Sequence, residues 1–147
     1  MDIGTVHSWQ PITNLQKDYV ELVEFSKGKN GLFIHLADAS GNHAKVIYDK
    51  NVPSLGDWVW AARHSPEAPQ SHLSAPCMEA NRNNPNLDRN VFSFYNITGS
   101  EFMSWFDQLS FLELKYFPEV EHHLYYLMDE VVEVLADYEP RIIAWKE

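Results

Sequence analysis

A single cysteine, Cys77, among 147 residues excludes an intramolecular disulfide and leaves too few thiolates for a cysteine-based zinc site. That scarcity favours a reducing compartment. Nowhere do apolar residues run together for the roughly 18 positions that a spanning helix requires. The start of the chain, MDIGTVHSWQPITNLQKDYV, lacks the basic and apolar regions of a secretory signal. A cytoplasmic protein that does not cross a membrane is expected. Basic side chains are also scarce: 11 Lys and Arg stand against 21 Asp and Glu, a formal net charge of −10. The imbalance is local, with −2 over residues 1–98 and −8 over residues 99–147. Phosphate neutralisation dominates nucleic-acid affinity, so DNA and RNA are not expected as partners. A basic protein partner suits this charge better, because opposite potentials accelerate encounter. The six glycines fall singly rather than in a phosphate-cradling loop, and no serine stands in a nucleophile-elbow motif.

What the chain does have is apolar material: 45% hydrophobic and 14% aromatic residues can build one sizeable core, and 147 residues suit a single domain. Strands are predicted over Asp18–Phe25, Gly31–Asp38, His43–Lys50, Gly56–Arg63 and Asn90–Ile97. In the second, Leu32, Ile34 and Leu36 share one face and Phe33 and His35 the other; in the third, Ala44, Val46 and Tyr48 oppose Lys45, Ile47 and Asp49. Trp58, Trp60 and Ala62 share a face of the fourth. Short turns between the early strands imply an antiparallel meander. The Pro- and Asn-rich stretch from His64 to Asn90 is predicted as a long loop within the domain. Ser100 is placed to cap a helix in which Phe102, Trp105, Phe106 and Leu109 form one face. His122–Met128 is then a strand, and Asp129 caps a second helix with Val131, Val134, Leu135 and Tyr138 on its apolar face. Pro140 stops it and Arg141–Trp145 is the last strand. The expected fold is α+β: one domain with a mainly antiparallel sheet of about six or seven strands and two short helices packed on it.

Two constellations could carry chemistry. In an extended strand His122 and His123 point to opposite faces, so they cannot share a metal, whereas Glu121 and His123 share a face. On the second predicted helix Glu130, Glu133 and Asp137 form a stripe beside the apolar face. Paired carboxylates do acid/base work when burial drives their pKa values apart, and an open stripe is instead a solvated face or a docking surface. Cys77 has no basic cluster near it in sequence to activate it. No catalytic residue, metal ligand or cofactor site is therefore assigned.

NVFSFYNITGSEFMSWFDQLS (Asn90–Ser110) followed by HHLYYLMDEVVEVLADYEPRI (His122–Ile142) resembles a pattern of small bacterial immunity proteins of polymorphic-toxin and contact-dependent growth-inhibition systems. An aromatic strand leads into a Ser100-Glu101-Phe102 helix bearing Trp105 and Phe106. A strand with His123 and Tyr125 leads into a helix capped by Asp129 and ending in Val134 and Leu135, and Glu139-Pro140 opens the final strand. The resemblance implies a non-enzymatic inhibitor, monomeric or a small homo-oligomer, that neutralises a cognate toxin C-terminal domain. A basic nuclease would be met by acidic residues, for which Glu119, Glu121, Glu130, Glu133 and Asp137 are the candidates. The alternative from another class is a small-ligand or metal-dependent enzyme using one or more of His35, His123 and Glu121 in an aromatic-lined pocket.

Overall fold

The computed structural model describes residues 3–9, 11, 12, 14, 15, 20–84 and 94–147. Nine strands are formed among them: β1 (Thr5–Ser8), β2 (Glu21–Gly28), β3 (Gly31–Ala37), β4 (Asn42–Tyr48), β5 (Ala61–Pro66), β6 (Phe94–Thr98), β7 (Glu121–Tyr126), β8 (Glu130–Ala136) and β9 (Arg141–Lys146). Two helices, α1 (Ser74–Arg82) and α2 (Glu101–Leu109), join them, with short 3-10 turns at Ala68–Leu73 and Leu114–Tyr116. The strands form a five-stranded sheet in the order β1-β6-β7-β8-β5 and a four-stranded sheet in the order β2-β3-β4-β9, antiparallel throughout. The α+β class stands, with more strands than expected and two sheets rather than one.

One-sided burial explains the clearest parts of the pattern. Leu32, Ile34 and Leu36 of β3 and Ala44, Val46 and Tyr48 of β4 point inward and meet Phe94, Tyr125, Val132 and Val134 of the larger sheet. Phe33, His35 and Lys45 lie on the open outer face, so the alternation is preserved in the sequence. Gly31 closes the β2–β3 hairpin at φ +137°, where a Cβ would stand 2.9 Å from the Tyr48 carbonyl oxygen. Only glycine fits there without strain.

The larger sheet is covered on both faces. Opposite the inter-sheet core, Tyr95, Ile97, Leu124, Tyr126 and Val131 pack on Leu73, Cys77 and Ala80. Trp60 and Leu135 pack on Phe102, Leu114 and Val120. Here the second predicted helix is overturned: the residues after Asp129 form β8, between β7 and β5. A strand buried on both faces is apolar at nearly every position, and such a run matches helical spacing as readily as it matches a strand. Asp129 therefore caps no helix. It sits in the tight turn from β7, where the Leu127 amide donates to the Glu130 carbonyl at 2.9 Å.

The predicted loop from His64 is also corrected. β5 runs to Pro66, and α1 occupies the middle of the stretch. Each of its three described prolines stands where its missing N–H costs little: Pro66 ends an edge strand, Pro69 opens the 3-10 turn and Pro76 lies in the first turn of α1. Residues 85–90 of that loop, residues 90–93 of the fifth strand candidate with Phe92, and Asp18 and Tyr19 lie outside the described residues. The shared face expected for Trp58 and Trp60 splits, since the chain stays irregular until Ala61. Trp60 packs toward Phe102, whereas Trp58 joins the inter-sheet core.

Helix α2 starts as the cap predicts: Ser100 Oγ accepts from the Met103 amide at 3.1 Å, and Glu101 lies in the first turn. Its apolar face is only half used. Phe102 is buried and Phe106 packs on Trp60 at 5.9 Å, while Trp105 and Leu109 are exposed. No helix among the described residues is long and apolar enough to cross a membrane.

Candidate functional site

Strand β7 separates its two histidines as extended geometry requires. His122 faces the helices and lies 2.6 Å from a carboxylate oxygen of Glu133 on the neighbouring strand, though its ring nitrogens are not aligned for a directed hydrogen bond. Arg63 of β5 donates to the same carboxylate through Nε at 2.7 Å and Nη2 at 3.2 Å, and its Nη2 also donates to Glu101 of α2 at 3.1 Å. The guanidinium lies 4.1 Å from the centre of the Phe102 ring. Burial opposes ionisation of Glu133, but the His122 and Arg63 contacts outweigh it and hold the carboxyl below the usual glutamate value. Glu133 is 1% exposed. It cannot meet a partner, so the stripe predicted to face water places its central carboxylate in the interior instead.

His123 faces the other sheet. Its Nδ1 lies 2.8 Å from the Tyr48 hydroxyl, which is 2.6 Å from the Tyr125 hydroxyl, and its Nε2 lies 3.3 Å from Glu121 Oε1. Asn96 Nδ2 of β6 donates to the other Glu121 oxygen at 2.9 Å. The bond to His123, joined by Asn96 and opposed by partial burial, keeps the Glu121 carboxyl below its ordinary value. With Glu121 ionised, the His123 Nε2–H donates to it. Trp9 stacks on the His123 ring at 4.3 Å. Tyr48 and His123 are sealed from solvent, and burial drives the Tyr48 hydroxyl well above its ordinary pKa. Only Glu121 of this chain of groups reaches the surface, in a groove of about 530 Å³ that Trp9, Asn96, Thr98, Met103 and Val120 also line.

The remaining candidates scatter. His35 contacts His43 and Trp145 on the outer face of the smaller sheet and does not approach His123. Glu130 pairs with His64 at 2.7 Å at the end of β8 opposite Asp137. Glu119, Glu121 and Asp137 gather at one end of the β7–β8 pair, since Glu121 lies opposite Ala136. Among the described residues no group of three or more His, Cys, Asp or Glu side chains is placed to hold a metal ion. Cys77 is buried in α1, where desolvation pushes its thiol far up and Glu133 adds to the effect.

The surface next to this acidic end has an unusual composition. From Trp105 of α2 to the start of β7 the chain makes an excursion anchored inward by Phe106 and Phe117 on Trp60, with the exposed Asp107 carboxylate accepting from the Leu114 amide at 2.8 Å. Outward it presents Trp105, Leu109, Tyr116 and Phe111, the last 93% exposed, interleaved with the carboxylates of Asp107, Glu113 and Glu119. No known family model, characterised protein or solved structure matches this chain. The physical evidence for function is therefore the surface itself. Sequence reasoning named Glu119, Glu121 and His123 but missed Asn96 and Arg63, which come from other strands, and Trp9, which follows β1. The exposed apolar side chains had a signal: Trp105 and Leu109 stand four apart on a helix, and Phe111 lies just beyond its end.

Proposed function

We propose that the protein is a non-enzymatic immunity protein that binds and neutralises a cognate bacterial toxin domain, and that the α2–β7 excursion is its interface. The observation that carries this reading is the exposure of Trp105, Leu109, Phe111 and Tyr116 on one excursion studded with carboxylates. Exposed aromatic side chains lose water contact only when something covers them, and aromatic anchors dominate binding energies in protein interfaces. The surrounding negative charge selects a basic partner and speeds its approach. The sequence resemblance of Asn90–Ser110 and His122–Ile142 to immunity proteins points the same way, although the helix that its pattern places after Asp129 is strand β8 here.

The test is protection. If the gene immediately upstream encodes a toxin-like C-terminal domain, cells expressing that domain should survive only when this chain is co-expressed. Phe111→Ala with Trp105→Ala should abolish survival while the melting temperature stays near that of the wild type. Survival that persists in the double variant removes the excursion from the interface, and absence of any protected toxin domain removes the function. A second reading, a small-ligand or metal-dependent enzyme, has the Glu121–His123 contact beside the groove in its favour. A rise in melting temperature with divalent metal or a small ligand would support it.

A further inference from the structure

We infer that the groove between Trp9, β6 and the start of β7 is a receptor for a basic side chain, arginine or lysine, carried by the protein partner proposed above. The inference rests on that binding reading and deepens it. The groove is about 530 Å³, within the roughly 300–1,000 Å³ range of ligand sites. Among the described residues no lysine or arginine lines it, and Glu121 is the one carboxylate. That carboxylate is held in place before any partner arrives, by His123 on one oxygen and Asn96 on the other. It remains 44% exposed, so it can still accept from an incoming N–H group.

Trp9 adds an aromatic wall. Its ring is fixed by stacking on His123 on one side, and a cation within about 6 Å of such a ring gains attraction from the ring's negative face. Behind Glu121, the Tyr48–Tyr125 pair completes the hydrogen bonding of His123, so the acidic group is oriented by a dry interior network. The groove also adjoins the aromatic excursion. Met103 of α2 and Pro118 and Val120 of the excursion form part of its wall. A partner seated on Trp105 and Phe111 could therefore place a basic side chain beside Glu121.

The experiment titrates acetyl-arginine amide into the intact protein, with acetyl-citrulline amide as its neutral isostere, and follows the Trp9 indole and Asn96 side-chain signals by NMR. Saturable shifts with the arginine probe, at least fivefold weaker binding of citrulline, and at least fivefold weaker binding of arginine to Glu121→Gln support the inference. Thr98→Lys, an exposed substitution that puts the protein's own cation into the groove, should weaken the probe similarly, and it covers the case in which Glu121→Gln perturbs folding. Equal binding of the two probes, no saturable shift, or no effect of either variant would overturn the inference. If the arginine probe fails while the Trp105/Phe111 double variant still loses protection, the groove inference falls and the interface reading stands. If the probe binds while the double variant protects normally, the groove is a cation site unconnected to the partner, and the inference is again overturned.

Discussion

Glu133→Gln separates a carboxylate that builds the fold from one that meets a partner. In the wild type the Glu133 carboxylate is 1% exposed and holds Arg63 through two hydrogen bonds at 2.7 and 3.2 Å. Removing one member of a buried ion pair costs about 3–5 kcal/mol. Arg63 is 32% exposed and keeps its bond to Glu101, so its charge is not stranded. The lower end, about 3 kcal/mol, is therefore expected. An unfolding entropy of about 2.1 cal/mol/K per residue gives about 0.3 kcal/mol/K for 147 residues, so the midpoint should fall by about 10 °C near neutral pH. The pH dependence has a definite sign. The folded carboxyl titrates below its ordinary value, so the unfolded chain takes up the proton first. The stabilisation is complete above the ordinary glutamate value and disappears as the pH falls through the folded one, and the gap between wild type and variant should close over that interval. Thermal melts followed by circular dichroism measure both effects. A variant melting within about 2 °C of wild type at neutral pH, or a gap that does not narrow in acid, would refute the buried-pair argument.

Three further outcomes follow from other contacts. Tyr48→Phe removes the hydroxyl shared by His123 and Tyr125 and should cost about 1–3 kcal/mol in urea unfolding, because two buried polar groups lose a partner; an unchanged midpoint would show that the network contributes nothing. Cys77, fully buried with a thiol pushed up by desolvation, should resist iodoacetamide in native buffer and react as denaturant opens the α1 contacts; rapid native labelling contradicts the packing. Reversing the charge of Glu119, together with Glu113, should slow association with the toxin domain and flatten its salt dependence while leaving dissociation nearly unchanged; unaltered association kinetics would remove electrostatic steering from the mechanism.

Several elements were legible from neighbouring residues. β3 and most of β4 alternate because their burial is largely one-sided, Ser100 announces α2 with a side chain that bonds the helix start, and β7 divides His122 from His123 by the simple geometry of an extended chain. Other elements were obscured for equally physical reasons. Prolines that look like loop markers are harmless at an edge-strand end or in a first helical turn, which hid the second half of β5 and all of α1. The apolar face of α2 was visible, but whether Trp105 and Leu109 are covered depends on what packs there, and among the described residues they stay exposed.

The chain's composition and one-sided patterns by themselves determined an α+β protein with antiparallel strands, an acidic final third and a capped helix, because such features are written in neighbouring residues. Tertiary structure alone decided that Val131–Ala136 is a central strand, since a segment buried on both faces loses the period that would distinguish strand from helix. It also decided the roles of the acids. Glu133 is drawn inside by Arg63, some 70 residues away, while Glu121 is fixed at a groove by Asn96 and His123. A carboxylate's function depends on which strands lie beside it, and that order is set by packing across the whole chain.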